Sequence, residues 1–191
     1  MRQTHWRKAF LFTAMLSASG SSFGQTADNA AAPQTQPPQA AQQPTPTDVK
    51  VFGDWVVRCF PVKAPAKCDI FQATIDKPSQ KLIVSTSIAY APGLNGYVAK
   101  IVVPLGIKIA AGATITSDAY KSGTLAFTRC ENDGCYIEGP LDTALIEKLN
   151  GGKTASIVVT LLTGRHVPLP VSLKGFSDAA AAMKTLAIQK G

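Results

Sequence analysis

The chain has 191 residues, a formal net charge of +7 and 46% hydrophobic residues, with 15 glycines, 13 prolines, 4 cysteines and 2 histidines. Its lysines are scattered singly, without the interleaved aromatics of a nucleic-acid face. His5 falls in the basic N-terminal stretch, so His166 alone remains downstream for metal binding or base catalysis.

Residues 1–8 carry Arg2, Arg7 and Lys8 and no acid, and residues 9–16 are apolar. Small residues follow, with Ser22 and Gly24 standing at the −3 and −1 positions of a cleavage site. This pattern predicts a secretory signal peptide over 1–24, cleaved before Gln25. A membrane anchor needs roughly 18 apolar residues, so no transmembrane segment is expected in the processed chain. The first cysteine, Cys59, is too distant for a lipidated N-terminus. Residues 25–47 consist mainly of Gln, Ala, Pro and Thr, with prolines at 33, 37, 38, 44 and 46. Such a segment cannot bury enough apolar surface to offset its ordering entropy, and it predicts a disordered, partly extended linker.

Residues 48–191 are long enough for one domain with its own core. Runs rich in Val, Ile, Thr and aromatics predict strands over 51–59, 68–75, 81–90, 97–103, 114–118, 123–129, 135–138, 155–162 and 166–171. Over 51–59, Trp55, Val57 and Cys59 share one face, while Asp54, Val56 and Arg58 share the other. Over 82–89 the alternation sets Leu82, Val84, Thr86 and Ile88 against Ile83, Ser85, Ser87 and Ala89. The run 156–162 is apolar on both faces and predicts a central strand. Asn95-Gly96, Lys121-Ser122-Gly123 and Asp133-Gly134 supply turns. The pattern argues for an all-β sandwich.

Two helices interrupt it. Leu141, Leu145 and Leu149 recur at four-residue steps and predict a helix over 141–149, with Gly151 as a left-handed cap. Ser177 as N-cap predicts a second over 178–189, near the C-terminus, with Met183 and Leu186 buried.

The four cysteines form two close pairs, Cys59/Cys68 and Cys130/Cys135. In an exported chain such pairs read as structural disulfides. Three connectivities are open. Sequence proximity favours the local pairs, each closure contributing roughly 2–3 kcal/mol. Zinc is disfavoured because neither pair is Cys-x-x-Cys and only His166 could join them. A redox role lacks the two-residue spacing that depresses a thiol pKa.

Catalytic constellations are sparse. His166 sits where a turn enters a strand, which suits a surface histidine better than a general base. Ser172 and Lys174 stand two apart as a polar edge pair. The acids Glu131, Asp133 and Glu138 flank the second cysteine pair, where paired carboxylates could do acid–base work or bind calcium but are expected to be solvated. No phosphate-cradling glycine loop or Gly-x-Ser-x-Gly occurs. The residues imply no metal, no cofactor and no enzyme.

Five segments nevertheless form a recognisable ordered set. They are Val51-Phe52-Gly53-Asp54-Trp55 leading to Cys59, the IVVPLGI of 101–107, and Phe127-Thr128-Arg129-Cys130 through Gly134-Cys135. Leu141-Asp142 with the helix to Gly152-Lys153 follows, and the VPLPVSLKGF of 167–176 closes the set. Together, over about 49–189, they resemble the invasion-associated locus B family of exported bacterial proteins. The resemblance implies a periplasmic or cell-envelope β-sandwich, immunoglobulin-like in broad shape, and supplies no catalytic residues. The function it implies is a binding domain for an envelope or host-surface protein, contributing to host-cell invasion or envelope function. A sandwich edge or the loops 61–67 and 91–96 are where contact is expected. A hydrolase of envelope polymers, using His166, Ser172 or the three acids, and a structural or chaperone-like periplasmic component are the alternatives. Trp55, on one face with Cys59, is expected in the core beside the first disulfide.

Overall fold

Two antiparallel sheets form the body of the described fold. The computed structural model describes residues 44–118 and 120–190. The predicted signal peptide 1–24 and residues 25–43 of the predicted linker lie outside the described residues. The larger sheet has seven strands, β1 (Asp48–Phe52), β2 (Trp55–Cys59), β3 (Cys68–Asp76), β4 (Lys81–Ala91), β5 (Gly96–Val103), β9 (Gly134–Leu141) and β8 (Arg129–Glu131), neighbouring one another in that order. The smaller has four, in the order β11 (His166–Val171), β10 (Ala155–Thr160), β6 (Ala113–Ser117) and β7 (Tyr120–Lys121). Helices α1 (Thr143–Gly151) and α2 (Phe176–Lys190) complete the fold. It is the mainly β, two-sheet sandwich that the alternation predicts, and β10 lies inside its sheet.

The inner faces follow the period-2 pattern. Trp55 and Val57 of β2, Val84 and Ile88 of β4 and Ile101 of β5 share one buried cluster with Ile115, Ile157 and Val159 of the smaller sheet. Helix α1 contributes Leu145, Ile146 and Leu149, and α2 contributes Phe176, Ala179 and Met183. The second sheet thus covers part of the large sheet's inner face, while α2 packs against β2, β3 and β4.

Four local features differ from the sequence reading. The run 51–59 is not one strand but the end of one hairpin arm and the whole of the next. Gly53 (φ +59°) and Asp54 turn the chain between β1 and β2, pairing Phe52 with Trp55. Residues 123–128 form no strand: Leu125 makes a single bridge to Ala113, and the segment then crosses to the other sheet. Leu141 ends β9, and Asp142 caps α1 by accepting from the Ala144 amide at 3.0 Å. The helix ends on Gly152 in an extended conformation (φ −81°) instead of a left-handed Gly151. Finally, α2 begins at Phe176, with Gly175 at φ +81° before it, and the Ser177 hydroxyl donates to the Asn150 carbonyl at 2.7 Å instead of capping.

Candidate functional site

Both disulfides clip registered neighbours across a strand pair. Cys59 bonds Cys68 between β2 and β3, and Cys130 bonds Cys135 between β8 and β9, each with Cα atoms 4.0 Å apart. They fasten the two hairpins at either side of the large sheet. On β2, four residues before Cys59, Trp55 is fully buried, meets Phe176 edge-on at 5.1 Å, and donates its indole N–H to the Ser172 carbonyl at 2.8 Å. Gln72 braces the same spot, donating to that carbonyl at 3.2 Å and accepting from the Ser172 amide at 2.8 Å. The β1–β2 turn is therefore joined to the strand-to-helix segment 172–175, and the Asp54 amide donates to the Lys174 carbonyl at 3.0 Å.

The outer face of the large sheet carries a different chemistry. Strand parity that turns Trp55, Val57 and Cys59 inward turns Arg58 outward. Arg58 forms a fork on Asp69 of β3 (3.0 and 2.5 Å), and its guanidinium lies 3.9 Å from the Phe71 ring centre. The Ser87 hydroxyl of β4 donates to Asp69 at 2.6 Å. Register then sets Ser87 opposite Lys100 of β5, and Lys100 opposite Glu138 of β9. Tyr136 lies beneath two cations, with Arg129 4.0 Å and Lys100 5.5 Å from its ring centre. Arg129 also bonds Glu131 at 2.5 Å and Glu138, and the Tyr136 hydroxyl donates to Asp133 at 2.5 Å. Three cations stacked on aromatic rings and interleaved with carboxylates thus cross the sheet from β2 to β8. Phe60, Val62 and Pro46 wall the shallow groove along this array.

Three comparisons bear on this architecture. The family model described as Invasion associated locus B (IalB) protein matches residues 55–184, from the buried tryptophan to the third turn of α2. The chain belongs to the invasion-associated locus B family. Two invasion protein B homologs of Brucella abortus, from strain 2308 and from biovar 1 strain 9-941, are each 24% identical over 140 residues, covering 72% of this chain and 79% of theirs. The crystal structure of invasion associated protein B from Bartonella henselae superposes with a TM-score of 0.65 at 21% identity, over 76% of this chain and 100% of that one. That likeness is one of fold.

In this family member the residues weighed for catalysis do not converge. His166 opens β11 on an exposed edge, its Nδ1 3.1 Å from the Thr160 hydroxyl. Ser172 lies beyond the other end of that strand, donating to Asp54 at 2.7 Å and accepting from the Lys174 amide at 3.2 Å. Glu131, Asp133 and Glu138 sit on the other sheet. Arg129 supplies Glu131 and Glu138 with the positive charge a bound cation would bring, and Tyr136 holds Asp133. Among the described residues no group of three or more His, Cys, Asp or Glu could hold a metal ion.

Sequence reasoning did not assemble the outer-face array. The parity of Arg58 was visible, but the partners depend on which strands become neighbours. The array has a measurable signature in Tyr136. The hydrogen bond it donates to Asp133, followed by burial, pushes its hydroxyl from 10.0 up to about 12. A phenol held protonated in the folded state stabilises fully below pH 10 and loses that contribution as pH rises through about 12. Tyrosinate absorbance is expected to show one tyrosine ionising about two pH units after a model phenol. Tyr136→Phe should remove that late step; a late step that persists in the variant would contradict the assignment.

Proposed function

We propose that this chain is an exported, non-enzymatic envelope protein that binds a protein partner through the outer face of its large sheet, in the service of host-cell invasion or envelope function. The observation that carries the reading is the ordered array Arg58–Lys100–Arg129 over Phe71 and Tyr136 on an open sheet face. Stacking and ion pairing hold both guanidinium groups in place, so a partner would order them at low further entropic cost, and Arg is a favoured anchor of protein interfaces. The groove runs up to the loop 61–67 through Val62 and Ala66, so loop and face form one surface. Export is supported by the N-terminal pattern and by two disulfides, which suit an oxidising compartment. The role in invasion is supported by the likeness to the two Brucella invasion protein B homologs.

A photoreactive residue in place of Lys100, in intact cells, is expected to capture one saturable partner, and the same residue at Thr185 on α2 none. Arg58→Glu in the Lys100-labelled chain should abolish the adduct. No adduct at native abundance, or equal capture from both positions, overturns the face. N-terminal sequencing of the periplasmic protein should begin at Gln25; a mature chain that retains Met1 overturns export by cleavage.

A further inference from the structure

At one end of the sandwich two loops lie side by side. The segment 104–112 leads from β5 toward β6, and the turn 161–165 joins β10 to β11. They are bonded to each other: the Lys108 amide donates to the Thr160 carbonyl at 2.7 Å, the Leu162 amide donates to the Gly106 carbonyl at 3.1 Å, and Ile107 bridges Leu161. Ile107 is buried, which anchors the pair to the core. Their remaining large apolar side chains point outward, with Leu105 53%, Ile109 51% and Leu162 74% exposed. Burying them inside the protein was possible for Ile107 and did not happen for these three. Neither loop contains an acid, while Lys108 and Arg165 are exposed on them and have no carboxylate partner among the described residues. The β8–β9 turn at the same end carries Glu131 and Asp133, engaged by Arg129 and Tyr136.

We propose that this end docks on an anionic phospholipid surface, with Leu105, Ile109 and Leu162 entering the acyl boundary and Lys108 and Arg165 at the phosphates. Aliphatic tips rimmed by cations match an interface that is apolar below and negative above. A stable protein interface requires roughly 800 Å² of shaped surface per partner, far more than three side chains on two loops present, whereas a bilayer needs no matching shape. The loops form the tip of the sandwich, whereas the Arg58–Arg129 array lies on the outer face of the large sheet and reaches that end only at the β8–β9 turn. Substitutions on the loops leave the array intact, so either surface can fail without the other.

The test is flotation of the full chain with phosphatidylethanolamine–phosphatidylglycerol vesicles. The apolar run 9–16 is common to every variant, so ratios between variants isolate the loops. Ile109→Glu with Leu162→Glu is expected to reduce partitioning roughly tenfold or more, and Lys108→Glu with Arg165→Glu to reduce it similarly and weaken its salt dependence. Leu94→Glu, 70% exposed at the opposite end, should stay within about twofold of the parent. All these side chains are exposed, so melting temperatures should be unchanged and a loss of binding cannot be unfolding. Tip variants that partition like the parent, a Leu94→Glu loss of equal size, or equal parental binding to phosphatidylcholine vesicles would each overturn the proposal.

Discussion

Trp55→Ala is expected to lower the free energy of unfolding by about 3–5 kcal/mol. The indole is fully buried, so truncation opens a void that the surrounding backbone cannot close. The void would lie between the large sheet and α2, because the ring's edge-on neighbour at 5.1 Å is Phe176, the first residue of that helix. Packing and hydrogen bonding can be separated. In Trp55→Phe most of the packing survives and the N–H donor is lost, but the Ser172 carbonyl keeps its bond from Gln72 at 3.2 Å. No acceptor is orphaned, so this variant should cost only about 1–2 kcal/mol. Urea unfolding followed by far-ultraviolet circular dichroism measures both. An alanine variant with an unchanged midpoint would remove Trp55 from the core; equal losses in both variants would make the hydrogen bond, not the ring, the larger contribution.

The fold was legible where residues need only their own strand. In 82–89 the alternation alone separates Val84, Thr86 and Ile88, which are buried, from Ser85 and Ser87, which are not. It was illegible where a breaker sits inside an otherwise regular run. Gly53-Asp54 interrupts apolar alternation on both sides, and a reading by period alone passes over a turn that reverses the chain. Residues 123–128 have strand-like composition but pair only at isolated points, Leu125 with Ala113 and the Thr128 amide with the Tyr136 carbonyl, and without a continuous partner backbone no strand forms. The ends of α1 were displaced by tertiary contact: an added Cβ at Gly152 would meet the Ser117 hydroxyl at 2.4 Å and the Leu173 side chain at 2.8 Å. The outer-face site shows the same limit. Arg58 and Asp69 meet across a hairpin only 11 residues apart. Lys100 meets Glu138 and Tyr136 only because β5 pairs with β9 across the intervening small-sheet strands β6 and β7, a choice no local pattern records.

The second large effect lies in the joint that this topology creates. Gly175→Ala is expected to destabilise by about 4 kcal/mol or more, beyond the ordinary range for one methyl group. A Cβ there would stand 2.1 Å from the Phe52 carbonyl oxygen, 2.5 Å from its carbon and 2.9 Å from the Gly53 nitrogen. All three are backbone atoms of the β1–β2 turn and have no rotamer to move into. Relief requires separating the turn from the segment 172–175, which breaks the bond from the Asp54 amide to the Lys174 carbonyl and shifts Phe176 off Trp55. Positive φ contributes as well, and Gly164 supplies the control. It has φ +86° against +81° for Gly175, but nothing lies within 4 Å of its added Cβ. Gly164→Ala should therefore cost only the conformational strain, about 1–2 kcal/mol. Gly53→Ala belongs with the crowded class, because its Cβ would meet the Lys174 carbonyl oxygen at 2.6 Å from the other side of the same joint. If Gly175→Ala proves too unstable to purify, Gly53→Ala carries the comparison. Losses at 175 and 53 no larger than at 164 would mean that the turn and the strand-to-helix segment are not held backbone to backbone. Larger losses at both would identify that contact as the point where the N-terminal hairpin, β11 and α2 are locked into one core.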